Sequence, residues 1–385
     1  MENLKLGIIG YGSMGSSHAK YILEGEVPGC KLSCVFDSDP KKLDKAREEL
    51  PDEVSVFSEV DQLFSSCTCD AVLIATPHYF HPEIAVKAFE HGKHVLCEKP
   101  AGVYTEQVDK MNLAAKKSGK IFSMMFNQRT NPIYRKAKQM IENGELGELK
   151  RSVWIITDWY RPQSYFDAGT WRATWKGEGG GVLLNQDPHQ LDLWQWICGM
   201  PKNITAFCYF GKYHDIEVED DVTAFAEYES GATGVFITTT GEAPGTNRFE
   251  ISGDMGKLVI EDDKLTFYKL EMSERQFNKE FKGGFGQPDF TVEEIETPGE
   301  NPQHKGITRN FVNAILKGEE LIAPGHEGVN SLTLSNAMLL SSWTGGKVEL
   351  PIDAQLYKKL LDEKIANSVV KKKQSDVVLN TKGTY

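Results

Sequence analysis

A lysine between a short apolar run and a proline is the first residue whose placement suggests chemistry. The run His94–Cys97 is typical of a buried strand, and Glu98, Lys99 and Pro100 follow it directly. A residue before proline is held in an extended conformation, so we expect Lys99 to continue off the strand tip. There its ammonium can hydrogen-bond an alcohol oxygen and stabilise a developing alkoxide. The competing interpretation is an exposed lysine on a loop.

A histidine near the start of a helix is the second such residue. We expect Asp187 to cap this helix and Pro188 to occupy its first position, which places His189 in the first turn. The positive end of the helix dipole favours a neutral imidazole there, and a neutral imidazole can accept a proton. Asp192, one turn further, is predicted to orient His189. A histidine that only packs in the core is the alternative.

A glycine-rich segment predicts the site of a dinucleotide. Residues 10–15 match G-x-G-x-x-G after an apolar run and before a helical pattern, which is the context that supports the motif. Gly10 permits the tight turn, Gly12 lets the backbone approach a pyrophosphate, and Gly15 lets the helix pack on the sheet. The free N–H groups at the start of that helix, at Ser13 and Met14, would meet the pyrophosphate.

An aspartate at the end of the second strand favours one cofactor. Asp37 lies about 20 residues beyond the last glycine, where a carboxylate accepts the ribose hydroxyls and would repel a 2′-phosphate. We therefore expect NAD rather than NADP. Ala75, Thr76 and Pro77 end another strand and are predicted to lie near the second ribose. His81 either contacts the cofactor or only begins a helix.

The first 126 residues alternate continuous apolar runs with helical patterns, which predicts an α/β Rossmann domain with a doubly wound parallel sheet. Beyond Asn127, β-like segments separated by glycine turns predict an α+β domain with a large, mostly antiparallel open sheet, and 283–303 a surface loop. We expect an NAD-binding domain at 1–126, a substrate-binding and oligomerisation domain at 127–365, and a polar tail at 366–385. The predicted Rossmann strands are Leu4–Ile9, Leu32–Phe36, Val54–Phe57, Ala71–Ala75, His94–Cys97 and Ile121–Phe126.

Composition limits the partners. The 385 residues carry a formal net charge of −12, which argues against nucleic acid and anionic membranes as partners. No apolar run approaches the ~18 residues that span a bilayer, and the N-terminus lacks a secretory pattern. Seven scattered cysteines fit a reducing compartment, so we expect a cytoplasmic protein. We find no metal site.

Together these residues resemble the glucose–fructose oxidoreductase / inositol dehydrogenase / rhizopine-catabolism (Gfo/Idh/MocA) family over nearly the whole chain. The resemblance implies that Lys99 and His189 are the central catalytic pair and that the open sheet forms a homo-oligomer, a dimer or a tetramer. The motifs that carry it are Gly10–Gly15, Ala75-Thr76-Pro77 with His81, Glu98-Lys99-Pro100, Asn127-Gln128-Arg129, Trp171-Arg172, and Gly179-Gly180-Gly181 followed by His189 and Asp192.

The resemblance also assigns residues around the two reactive side chains. It implies cofactor contacts for Glu98, Lys99, Asn127 and Arg172. Lys99, Arg172 and His189 are also assigned to the substrate. The remaining predicted substrate contacts, which offer aromatic faces and hydrogen-bonding groups to a polyhydroxylated ring, are Tyr160, Trp171 and Asn185.

One position departs from the family pattern. The family often has Asp four residues before the histidine, whereas this chain has Asn185. An amide can orient a hydroxyl but cannot take a proton at neutral pH. We still count Asn185 among the catalytic residues, but the departure shifts the base role toward His189, or toward Lys99 if its pKa is lowered.

Three functions are compatible with these residues. The first is an NAD-dependent oxidoreductase that transfers hydride between nicotinamide and a ring hydroxyl of a sugar, glycoside or cyclitol. The second is a glycosidase that keeps NAD bound and eliminates the aglycone after transient oxidation at C3. The third is a dinucleotide-binding sensor without catalysis, against which the presence of Lys99 and His189 argues.

Overall fold

The computed structural model describes residues 3–66, 68–169 and 171–369. Within these residues, six parallel strands form a sheet in the order β3-β2-β1-β4-β5-β6, which is the doubly wound order. The elements are β1 (Leu4–Ile9), α1 (Ser13–Leu23), β2 (Cys30–Phe36), α2 (Pro40–Glu49), β3 (Ser55–Phe57), α3 (Val60–Ser65), β4 (Ala71–Ile74), α4 (Phe80–Glu90), β5 (His94–Cys97), α5 (Thr105–Ser118) and β6 (Phe122–Met124).

A second sheet follows a short 3-10 helix. Of the residues described, nine strands form it in the order β14-β13-β12-β11-β7-β10-β9-β8-β15, and only β7 and β10 pair in parallel. Its elements are the 3-10 helix (Asn127–Thr130), α6 (Pro132–Glu142), β7 (Leu149–Ile156), α7 (Gln163–Phe166), α8 (Val182–Asn185), α9 (Pro188–Cys198), β8 (Asn203–Phe210), β9 (Glu219–Glu227), β10 (Thr233–Thr239), β11 (Asn247–Gly253), β12 (Gly256–Glu261), β13 (Lys264–Leu270), α10 (Glu274–Glu280), β14 (Phe290–Ile295), α11 (Gln303–Lys317), a 3-10 helix (Gly325–Glu327), α12 (Gly328–Thr344), β15 (Val348–Glu349) and α13 (Ala354–Ala366).

The sequence patterns explain why the two sheets differ. β4 is buried at every position, as expected for a parallel strand covered by helices on both faces. β9 instead alternates, with Ala224 and Ala226 buried while Thr223 and Phe225 face outward, because one face packs on the core and the other is open. The predicted fold class is therefore confirmed.

One expectation for the second sheet is wrong in part. The segment 283–303, expected to be a loop, contains β14, which pairs with β13. Nearly every β14 residue is exposed, so backbone pairing forms this edge strand and its sequence shows no buried apolar face. Helix α13 is not among the predicted elements, and residues 370–385 of the expected tail lie outside the described residues.

A buried arginine, Arg129, lies in the 3-10 helix between the two sheets and pairs with two carboxylates. Arg129 is 1% exposed and binds Asp192 of α9 through two hydrogen bonds of 2.7 Å. Its Nη1 also donates to Glu327 at 2.5 Å. The predicted role of Asp192 in orienting His189 is thus wrong, because the Asp192 carboxylate is engaged by the guanidinium of a residue 63 positions earlier.

We expect Arg129→Met to lower the free energy of unfolding by about 3–5 kcal/mol, because it leaves the buried Asp192 carboxylate without its partner. The double variant Arg129→Met/Asp192→Leu should recover part of this loss. Chemical denaturation measures both. Arg47→Met is the matched control, since Arg47 pairs with Asp44 at the surface and such pairs contribute little. Equal losses of stability in Arg129→Met and Arg47→Met would contradict this interpretation.

Candidate functional site

The glycine-rich turn between β1 and α1 leaves no room for side chains at two positions. Gly10 has a φ of +98°, and a Cβ there would lie 2.6 Å from the carbonyl oxygen of Ala75. A Cβ on Gly15 would lie 1.8 Å from the Gly10 carbonyl oxygen, so only glycine lets α1 pack this closely. Gly12 faces open space, and the nearest atom to a Cβ there is Lys42 Nζ at 4.0 Å.

This turn fits the pyrophosphate of a dinucleotide. Among the described residues, no side chain caps the start of α1 at Gly12, and the first N–H groups of a helix point toward an anion at that end. Ser13, the first residue of α1, is exposed, and Met14 beside it is half-buried. The cradle and the helix end are therefore suited to the predicted cofactor contacts.

The ribose-binding carboxylate is held by the backbone around it. Asp37 Oδ2 accepts a hydrogen bond from the Tyr11 N–H at 2.7 Å, and Oδ1 accepts one from the Asp39 N–H at 2.9 Å. Lys42 Nζ lies 3.5 Å from Asp37. Each carboxylate oxygen can accept a further hydrogen bond from a ribose hydroxyl, which fits the adenosine ribose of NAD.

The end of β4 reaches the same edge, but His81 is used differently from the prediction. Ala75, Thr76 and Pro77 are half-buried beside the glycine turn. Both ring nitrogens of His81 face backbone carbonyls, of Pro100 at 2.8 Å and of Thr76 at 2.7 Å. The ring thus ties the two strand ends together, and it is 1% exposed, so the predicted direct cofactor contact by His81 is not supported.

Two residues assigned to the cofactor lie in a buried polar cluster beneath the site. Glu98 accepts a 2.7 Å hydrogen bond from His18 Nε2, and His304 Nε2 is 4.0 Å from the same carboxylate. Burial by itself raises the pKa of Glu98, but the hydrogen bond from His18 and the nearby positive charges outweigh it and lower the pKa to about 2. Asn127 is fully buried and lies 3.2 Å from His304 Nδ1. Glu98 and Asn127 therefore share one buried polar cluster with His304, and Glu98 also accepts a hydrogen bond from the Lys99 N–H.

Lys99 is where the sequence predicted it, at the tip of β5. Its Nζ donates a 2.8 Å hydrogen bond to the Asn185 backbone carbonyl, and its N–H lies 3.2 Å from Glu98 Oε2. Burial lowers the pKa of Lys99, Arg172 lowers it further, and Glu98 opposes this. The structure thus brings Lys99 and Asn185, 86 positions apart, into direct contact.

His189 lies in the first turn of α9, directly after this contact. Asp187 occupies the cap position, but its side chain makes no capping bond within the described structure. Asp187 follows α8, and its ψ is near 5°. A residue whose side chain caps a helix usually has an extended backbone instead. Burial is the main reason that the pKa of His189 lies well below its ordinary value, and the charge of Lys99 adds to it. The imidazole is therefore neutral near pH 7.

Aromatic and polar side chains form a connected group beside Asn185, the residue whose carbonyl binds Lys99. The guanidinium of Arg172 stacks on Trp171 and on Tyr165, at 4.7 Å from each ring centre, and donates to the Tyr165 hydroxyl at 2.8 Å. Tyr165 lies 3.5 Å from Asn185 Oδ1. Tyr160 is 49% exposed, and its side chain makes none of the contacts described for this group.

Two family models match the chain. The oxidoreductase family with an NAD-binding Rossmann fold matches residues 4–126, and the GFO/IDH/MocA C-terminal domain matches residues 134–259. The chain belongs to the Gfo/Idh/MocA oxidoreductase family. NAD is accordingly its cofactor, which agrees with the glycine turn and Asp37.

Two relatives align with this chain over at least two thirds of both proteins. The scyllo-inositol 2-dehydrogenase (NAD(+)) of Bacillus subtilis is 28% identical over 67% of this chain and 74% of its own. Levoglucosan dehydrogenase of Pseudarthrobacter phenanthrenivorans is 26% identical over 92% of this chain and 95% of the levoglucosan dehydrogenase chain. The WlbA dehydrogenase of Bordetella pertussis, solved with NADH and UDP-GlcNAcA, has the same fold, with a TM-score of 0.78 at 24% identity over 92% and 99% of the chains.

Three further residues contact this group and are not among the predicted site residues of this Gfo/Idh/MocA protein. Tyr165 and Gln186 meet at 3.1 Å, and Glu178 contacts the side chain of Asn185. Glu178 and Gln186 flank the triple glycine and Asn185 in the sequence, and that adjacency was the available signal. Tyr165 lies in α7, a helix of four residues, which carries no periodic pattern.

The described part of the chain adds two observations about other partners. Within it, no cluster of three or more His, Cys, Asp or Glu side chains is arranged to hold a metal ion. None of the helices described is both long and apolar enough to span a bilayer.

Proposed function

We propose that this protein oxidises a ring hydroxyl of a sugar, glycoside or cyclitol with NAD. The contact between Lys99 and Asn185, at the start of the segment that carries His189, is the observation that carries the proposal. An ammonium donor and a neutral imidazole thereby lie at the carboxyl edge of the sheet, where the glycine turn also lies. The names of the relatives, an inositol dehydrogenase and a levoglucosan dehydrogenase, support this substrate class.

The side chains divide the work of alcohol oxidation. Lys99 donates a hydrogen bond to the hydroxyl oxygen and stabilises the negative charge that grows on it. His189, neutral at pH 7, accepts the hydroxyl proton as general base. Bound NAD supplies the hydride acceptor. Trp171 and Arg172 provide an aromatic face and donors for the remaining hydroxyl groups of the ring.

Purified protein with added NAD should form NADH, seen as absorbance at 340 nm, with at least one member of a panel of inositols, anhydrosugars, free sugars and glycosides. A matched panel of acyclic alcohols is the control, and we expect no reduction with it. Release of an aglycone without net NADH, or no reduction with any cyclic polyol, would contradict the proposal.

The outer face of the second sheet supports self-association. Phe207 and Tyr209 of β8 and Phe225 of β9 are 62%, 50% and 43% exposed on that face, and large apolar side chains on an open sheet favour an interface. The protein is a homo-oligomer, a dimer or tetramer, with residues 127–365 forming the subunit contact. Light scattering measures the mass, and a monomer at micromolar concentration would overturn this part.

The thiols support a cytoplasmic location. The six cysteines within the described residues are all free, which is typical of a reducing compartment. Fractionation of the native cells tests this assignment.

A further inference from the structure

A buried carboxylate lies directly behind Asn185. Glu178 is 2% exposed, and its Oε2 accepts a hydrogen bond from the Ala173 N–H at 2.5 Å. Its Oε1 accepts a hydrogen bond from Asn185 Nδ2. Since both oxygens accept from donors, Glu178 is held as an acceptor on each side.

The partners of the Tyr165 hydroxyl determine which group faces the amide oxygen of Asn185. The Tyr165 oxygen accepts hydrogen bonds from Arg172 Nη1 at 2.8 Å and Gln186 Nε2 at 3.1 Å. The hydroxyl proton is then left for Asn185 Oδ1, which lies 3.5 Å away. Because Nδ2 is bound to Glu178, the amide has one orientation, with its oxygen on the side of Tyr165.

This oriented amide belongs to the residue whose backbone carbonyl binds Lys99 Nζ at 2.8 Å. We propose that Glu178 is a positioning residue, which holds Asn185 so that the amide oxygen accepts a hydrogen bond from a second hydroxyl of the substrate beside Lys99. The inference rests on the proposed function, because the acceptor serves a polyhydroxylated ring. A carboxamide oxygen, which has two lone pairs, can accept this bond in addition to the one from Tyr165.

The substitution Glu178→Gln should reverse the orientation of the Asn185 side-chain amide. In Glu178→Gln, the new side chain has one oxygen for two donors, the Ala173 N–H and Asn185 Nδ2. When that oxygen stays with Ala173, the new amide nitrogen faces Asn185, which must turn its own oxygen toward it. Nδ2 of Asn185 then faces the substrate as a donor, and we expect kcat to fall about 100-fold with little change in NADH affinity.

Exchanging the carboxylate of Glu178 and the amide of Asn185 should restore a hydrogen bond between the two side chains. Asn185→Asp places two carboxylates in contact, so the pair binds a proton with a raised pKa. This variant should lose melting temperature and activity as the pH rises, relative to wild type. In Glu178→Gln/Asn185→Asp, the glutamine oxygen accepts from Ala173 and the glutamine amide donates to the introduced aspartate. We therefore expect most of both losses to be recovered, at least about tenfold in kcat over Asn185→Asp.

Glu219→Gln is the matched control. Glu219 is a fully buried carboxylate beside the same triple glycine, and its Oε1 alone accepts the Gly181 and Leu183 N–H groups, so an amide preserves both bonds. We expect kcat and NADH affinity near wild type. Each variant is measured for kcat, KM, their pH profiles, NADH binding by fluorescence, and thermal unfolding.

The outcomes separate the two proposals. Additive losses in the double variant, in melting temperature as well as kcat, would overturn the coupling of Glu178 to Asn185. Coupled melting temperatures with kcat unchanged in Glu178→Gln would overturn its role in positioning. Wild-type protein without activity on any cyclic polyol would instead overturn the proposed function and, with it, the substrate contact assigned to Asn185.

Discussion

Replacing Lys99 with methionine should lower kcat by about 10²–10³-fold while NAD still binds. The ammonium is the donor at the tip of β5, and removal of one such donor to a developing oxyanion has an effect of this size. Methionine fills similar volume, so the fold should persist. The cofactor cradle around Gly10 and Asp37 shares no hydrogen bond with Lys99 in the described contacts, so Kd for NADH should change little. Steady-state kinetics and NADH fluorescence measure both quantities.

Lys93→Met is the control for this prediction. Lys93 is also buried and its Nζ also donates to a backbone carbonyl, that of Cys69, at 2.8 Å. It precedes β5, however, at the opposite edge of the sheet from the cofactor turn. We expect Lys93→Met to lower stability but to keep kcat near wild type. If Lys99→Met keeps more than a tenth of wild-type kcat, the assigned role of Lys99 is wrong.

Replacing His189 with asparagine should lower kcat/KM by about 10²–10⁴-fold, because the general base is lost. The pH profile provides a second test. Burial lowers the pKa of His189 well below its ordinary value, so the base stays unprotonated and active at pH values where an exposed histidine is already charged. The acid limb of wild-type kcat/KM should therefore lie below about pH 6.5, and activity should fall only as the pH drops through that lower value.

His94→Asn is the matched control. His94 Nδ1 accepts a 2.9 Å hydrogen bond from the Ile121 N–H, which an asparagine oxygen can replace, and it lies at the start of β5 away from the cofactor turn. We expect near wild-type kcat/KM for this variant. Added imidazole should restore part of the activity of His189→Asn. An acid limb that remains unchanged in His189→Asn would assign the base to another group.

Local patterns were enough to predict the parts of the site that depend on one chain segment. Gly10 and Gly15 are required by steric contact within the β1–α1 turn, and strand-ending residues such as Lys99 reach the ligand edge in any sheet of this topology. The first turn of α9 likewise follows from Pro188. Each conclusion needs only the path of the backbone over a few residues and the rule that parallel strands end at one edge.

Sequence patterns assigned the wrong partners to side chains whose hydrogen bonds come from distant parts of the chain. Asp192 lies one turn from His189, yet Arg129 binds it from 63 residues away, because a buried carboxylate is most strongly stabilised by an available guanidinium. His81 bonds to two carbonyls that the sheet brings together. Side-chain direction decides these pairs, and residue spacing does not specify it.

The sequence by itself determined the fold class and the cofactor turn, and it placed Lys99 and His189, the two side chains proposed to react, since periodicity, glycine sterics and strand ends are local properties. The tertiary structure alone decided which groups surround them. Glu178 is only seven residues from Asn185, but their contact depends on the path of the chain through the triple glycine, and Tyr165 reaches the same amide from α7. Hydrogen-bond direction in a buried site is a property of all its partners together, so only the folded chain determines it.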